Sequence, residues 1–198
     1  MWMFLARMVA GLALLTAASP ASATDWSVLK EPGTIALIRH ADAPGAGDPA
    51  GWRLGDCRTQ RNLSERGRRQ ARALGDTFRA NAITPRKMIA SQWCRAIETA
   101  TLMQLGPVEQ QSAFNNAYVL YAQRADLSRA GREVLSRWSG EGLLVVVTHG
   151  DNIELLTGVM PSQGEIVAVR RDPGSPERLT VVGRIKATDA TDNVRTGG

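Results

Sequence analysis

Short continuous apolar runs alternate along this chain with stretches in which apolar residues recur every three or four positions. Thr34 to Ile38, Lys87 to Ala90 and Leu143 to Thr148 read as strands. The Leu-Leu-Val-Val-Val run of the last leaves no position for a solvent face, which predicts a strand buried on both sides within a parallel sheet. From Ser64 to Asn81, Gly67, Ala71, Leu74 and Phe78 recur at spacings of four, three and four, with arginines between them and Ser64 as N-cap; that is an amphipathic helix. Cys94 to Leu105, with Ile97, Ala100 or Thr101, and Leu105 on one side, predicts a second helix, and Ala125 to Trp138, with Leu127, Val134 and Trp138, a third. Ile166 to Val169 and Leu179 to Ile185 read as two further strands joined by an Asp-Pro-Gly-Ser-Pro turn. The alternation predicts a three-layer α/β sandwich, with a mostly parallel central sheet and helices on both faces.

The two ends depart from this pattern. Arg7 precedes an apolar run from Met8 to Ala18, a Ser-Pro break, and Ala21-Ser22-Ala23, the small-x-small pattern of a cleavage site. We expect residues 1–23 to be an export signal cut after Ala23, giving a periplasmic or secreted protein. The run is too short for the roughly 20 apolar residues of a spanning helix, so no stable membrane anchor is expected after cleavage. Residues 24–186 are expected to form one domain, followed by a disordered polar tail, 187–198.

With 43% hydrophobic and 22% charged residues in 198, the composition excludes wholesale disorder and a multispanning membrane protein. The 24 basic against 19 acidic residues give a mild positive bias carried almost wholly by arginine, which suits small acidic molecules. Aromatics are only 5% and no basic run is interleaved with them, so nucleic acid is not an expected partner.

In such a sandwich ligands bind beyond the carboxyl ends of the strands. The residues standing there are Arg39-His40-Ala41-Asp42, Ser91-Gln92-Trp93-Cys94-Arg95 and His149-Gly150-Asp151-Asn152, and the chain's two histidines are both among them. Arg95 opens a helix, where the dipole disfavours a cation unless an anion sits between the two. These groups suit phosphoryl transfer through a covalent intermediate: one imidazole attacks phosphorus while its proton sits on the far nitrogen, and arginines with a second, protonated imidazole hold the equatorial oxygens. Cys57 and Cys94 fit a disulfide in an oxidising compartment, or two buried thiols. A zinc site from His40, Cys57, Cys94 and His149 lacks the close paired spacings of structural sites.

Four motifs in order carry a resemblance: strand-Arg39-His40, Leu63-Ser64-x-x-Gly67-x-x-Gln70-Ala71, Ser91-x-x-Cys94-Arg95-Ala96-x-x-Thr99-Ala100, and strand-Thr148-His149-Gly150. From Thr34 to Thr157 the chain resembles the histidine phosphatase superfamily, also called phosphoglycerate-mutase-like. The resemblance implies His40 as the phosphorylated nucleophile, a phosphate pocket of Arg39, Arg95 and His149, and neither metal nor cofactor. Arg61, Asn62 and Gly150 are further candidates for substrate binding. The family's leaving-group acid is typically a Glu between Arg95 and His149, but Phe114-Asn115-Asn116 stand in the corresponding region. Asp151, Glu109 and Asp42 are the candidates left for that role. If the loops carrying Cys57 and Cys94 close over one phosphate, a disulfide would brace the pocket.

Phosphatase is expected over phosphomutase, because a mutase must shield its phosphorylated state from water with a closed, elaborated pocket. The expected partner is a small anionic phosphorylated substrate, an envelope lipid or sugar phosphate by analogy. The alternative is a catalytically weak phosphate-binding envelope protein of the same fold.

Overall fold

The computed structural model describes residues 25–138 and 141–186, so the expected export signal and the expected tail lie outside the described residues. In chain order the elements are β1 (Ile35–Arg39), α1 (Glu65–Ala80), β2 (Pro85–Ala90), α2 (Cys94–Leu102), β3 (Val108–Gln110), α3 (Arg124–Ser136), β4 (Leu143–Thr148), α4 (Gly150–Thr157), β5 (Ile166–Asp172) and β6 (Ser175–Ile185). The strands form one mixed sheet in the order β3-β2-β4-β1-β5-β6. β3, β2, β4 and β1 run parallel, while β5 and β6 are antiparallel to their neighbours.

The uninterrupted apolar run of β4 has its predicted cause, since all six residues are buried. Leu143, Val145 and Val147 face a core closed by Leu74 and Phe78 of α1 and Ala96 and Ala100 of α2. Leu144 and Val146 face the opposite core, with Leu135 of α3 and Ile153 and Leu156 of α4. Alternate side chains of one strand thus feed two separate helix layers.

Several boundaries differ from the sequence reading. α2 ends at Leu102 and not Leu105, because Gln104 at φ 53° and Gly106 at φ 141° leave the right-handed helical region. α3 runs from Arg124 to Ser136, shifted by a residue or two. β6 begins at Ser175, so the hairpin turn shrinks to Pro173-Gly174. β3 is an addition of three residues whose burial is at most partial, too short to show a period.

Candidate active site

Three parallel strands deliver the functional groups to one edge of the sheet. Arg39 ends β1, Ser91 follows β2, and His149 follows β4. Arg39 is paired with Thr148 in the ladder, so His40 and His149 are register neighbours, and their rings lie 5.4 Å apart. Both are about 2% exposed.

The backbone after His40 is clamped by residues of the two central motifs. Thr99 Oγ1 accepts the Ala41 N–H at 3.0 Å and donates to the Arg95 carbonyl. Gln70 Oε1 accepts the Asp42 N–H at 3.0 Å, and the Ser64 N–H donates to the Asp42 carbonyl. Gly67 is required by close approach: a Cβ there would stand 2.1 Å from the Asp42 carbonyl oxygen. These motif positions therefore hold the loop after His40 and do not themselves line the pocket.

His40 Nδ1 lies 2.8 Å from the Ala41 carbonyl oxygen, a pure acceptor, so the proton resides on Nδ1 and the lone pair on Nε2. Burial, then the Arg95 charge, holds the ring well below the usual imidazole value of 6.5, and it is neutral at neutral pH. His149 is pushed down in the same way, by burial and then by Arg95. The expectation of a protonated second imidazole is thus corrected for the free site, since a fourth cation beside Arg95, Arg61 and Arg39 is disfavoured by burial and by their charges. Its Nε2 lies 2.9 Å from Ser91 Oγ, and its Nδ1 is buried without a partner. Trp93 supports the ring edge-on at 5.8 Å.

A pocket of about 170 Å³ opens above these rings, walled by Arg39, His40, Arg61, His149, Gly150 and Asp151, with the Gly45–Gly47 loop, Asn116 and Tyr118 completing it. Arg39 Nη1 donates to the Pro161 carbonyl at 2.8 Å, while its Nε is buried and unpaired. Gly150 makes room for that guanidinium, because a Cβ would lie 3.3 Å from its central carbon. Arg61 borders the pocket and also ties its loop, donating from Nε to the Gly47 carbonyl at 2.7 Å and from Nη1 to the Ala43 carbonyl. Asp151 stands on the wall in the first turn of α4, and among the described residues its carboxylate has no hydrogen-bond or ion-pair partner.

Other candidates are placed elsewhere. Asn62 turns away from the pocket and donates to the carbonyls of Cys57 and Gln60. Glu109 sits on the edge strand β3, paired with Lys87 at 2.8 Å. Asp42 is engaged by Arg66 and Ser64, whose hydrogen bonds hold its carboxyl below the usual carboxylate range and leave no proton to donate. Neither carboxylate lines the pocket.

Arg95 is fully buried, with the anion anticipated at its helix N-terminus supplied by the chain itself. Its Nη1 and Nη2 donate to Asp48 at 2.9 and 3.1 Å. Asp48 escaped the sequence reading because it lies in a Pro/Gly-rich stretch without periodicity. Cys57 and Cys94 form a disulfide with Cα atoms 5.7 Å apart, which joins that stretch to the start of α2 and rules out a thiolate zinc site. Among the described residues no group of three or more His, Cys, Asp or Glu converges to hold a metal.

The model of the histidine phosphatase superfamily (branch 1) matches residues 35–119, from the first residue of β1 through the Arg95 helix to the Asn116 wall. Over that segment the chain is similar to the histidine phosphatase superfamily. No curated protein matches it by sequence. Solved phosphatases share its fold. The protein histidine phosphatase SixA, solved with tungstate, is 16% identical at TM-score 0.51, covering 82% of this chain and 99% of its own. A mycobacterial glucosyl-3-phosphoglycerate phosphatase is 16% identical at TM-score 0.56, with 77% and 98% covered. A putative alpha-ribazole-5'-P phosphatase from Escherichia coli is 18% identical at TM-score 0.56, with 80% and 98% covered. Each likeness covers more than three quarters of the chain and so extends beyond the matched segment.

Proposed function

We propose that this chain hydrolyses phosphate esters or anhydrides through a phosphohistidine on His40, without a metal. The observation that carries this reading is the 2.8 Å contact of His40 Nδ1 with the Ala41 carbonyl, which leaves Nε2 as the lone-pair nitrogen, beside unpaired buried nitrogens of Arg39 and His149. His40 Nε2 attacks phosphorus, and the bond to the leaving oxygen breaks as Asp151 protonates it. Water then attacks the phosphoryl group, returning its proton to Asp151 and the electron pair to Nε2. Arg39, Arg61 and His149 hold the equatorial oxygens, and the buried Arg95 adds its charge beside the two imidazoles.

The small volume encloses a phosphoryl group and little more, so the leaving group lies outward along Tyr118 and the Gly45–Gly47 loop. We take the substrate to be a small phosphorylated anion, such as a sugar phosphate or the headgroup of an envelope lipid, met after export of the chain. The disulfide supports an oxidising compartment. The second reading, a phosphate-binding protein with weak turnover, is favoured by Asn115 and Asn116 standing where the family's acid is expected.

The test is hydrolysis of an aryl phosphate without added metal, with acid quenching to trap phosphohistidine. The wild type should turn over and accumulate acid-labile phosphate, and His40→Ala should lose both. Phosphate binding without turnover in the wild type would favour the binding protein.

A further inference from the structure

Asp48 is the most heavily bonded side chain near the pocket that the chemistry above does not use. Its carboxylate is fully buried and accepts four hydrogen bonds of 2.8 to 3.1 Å: two from Arg95, one from the Arg61 main-chain N–H and one from the Trp93 indole. Arg95 Nη1 also donates to the Arg61 carbonyl at 3.1 Å. Both terminal nitrogens of Arg95 are therefore engaged, by three of their four N–H groups, and its Nε is left buried without a partner. A buried N–H of a charged group is costly unless something pairs with it.

We propose that Asp48 is a positioning residue of the phosphate pocket, fixing both terminal nitrogens of Arg95 so that its Nε–H serves the bound phosphoryl group. The inference rests on the reading of this pocket as a phosphoryl site. Asp48 belongs to the fold and is not a stand-in that substrate displaces, because two of its four donors, the Arg61 amide and the Trp93 indole, come from groups other than Arg95. Its negative charge also offsets one of the three guanidiniums of Arg39, Arg61 and Arg95 gathered around two neutral imidazoles. The same carboxylate reaches Trp93, which packs on His149, so one residue ties a guanidinium, an imidazole support and the Arg61 loop together.

The closing experiment follows arginine side-chain and Trp93 indole resonances of the wild-type protein while inorganic phosphate or orthovanadate is added. The Arg95 Nε–H signal should shift on binding, with the Trp93 indole signal unmoved. Movement of the indole and Nη signals without Nε would show Asp48 displaced and overturn the proposal. In kinetics, Asp48→Asn should lower kcat about a hundredfold, as for a catalytic group misplaced by about 1 Å, with KM changed far less. Adding Asp48→Asn to Arg95→Lys should lower the rate no further, whereas losses that multiply would show that Asp48 does not act through Arg95. Should Asp48→Asn fail to fold, the wild-type titration decides. Absence of binding by either anion would sink the phosphoryl reading itself, while binding without a change at Nε sinks only the role of Asp48.

Discussion

An imidazole attacks phosphorus only as the free base, and the buried, arginine-flanked surroundings of His40 keep its ring neutral. Burial and the Arg95 charge depress its protonation, against a smaller opposing contribution from the Ala41 carbonyl. Because the value is lowered, the neutral form persists as pH falls through 6.5, and the acid limb of kcat/KM is expected well below that point. A limb centred near 6.5 in a pH-rate profile would contradict a buried nucleophile. Asp151 makes a different prediction, since a general acid matters most where the leaving oxygen is basic. Asp151→Asn should slow alkyl phosphates by roughly a hundredfold or more and spare an activated aryl phosphate. Comparing kcat on the two substrate types tests it, and equal losses would remove Asp151 from proton transfer.

The helices act on the site through contacts that leave no trace in hydrophobic periodicity. Gly67 was legible as part of an apolar face, yet its purpose is the absence of a side chain where α1 meets the Asp42 backbone. Gly67→Ala should push α1 away from the loop behind His40. Overpacking of this kind costs about 1–3 kcal/mol, read as a lower Tm, and here kcat should fall as well. The main strands and the three long helices were readable because their burial repeats over many residues. β3 was not, since three residues carry no period, and α2 overran because its stop depends on the backbone angles of Gln104 and Gly106. His40, Arg39 and His149 stood out by standing at strand ends. Asp48 did not, because a lone acid in a Gly-Asp-Pro context looks like a turn until the fold brings Arg95 to it. Asn62 was over-read for the complementary reason, as adjacency in sequence to Arg61 says nothing about which way the side chain turns.

For the molecule as a whole, the disulfide links the irregular segment after His40 to the helix that carries Arg95 across 37 positions. A loop of that length is worth about 4 kcal/mol in the chain-entropy view. Cys57→Ser with Cys94→Ser should therefore lower the Tm substantially. It should also weaken activity at temperatures where the protein remains folded, because the Asp48 loop loses its covalent tie. Calorimetry alongside turnover separates the two effects, and unchanged kcat in the folded variant would confine the bond to stability.

The sheet order carries one more consequence. β4 lies between β1 and β2, although it is made long after both. A ribosome emits the chain from the amino end, so β1 and β2 emerge with their facing edges open and with no partner to zip them together. His40 and His149 are consequently separated in time as well as in sequence during biosynthesis. A nascent fragment that stops before Leu143 holds His40 but presents two sticky strand edges instead of a site.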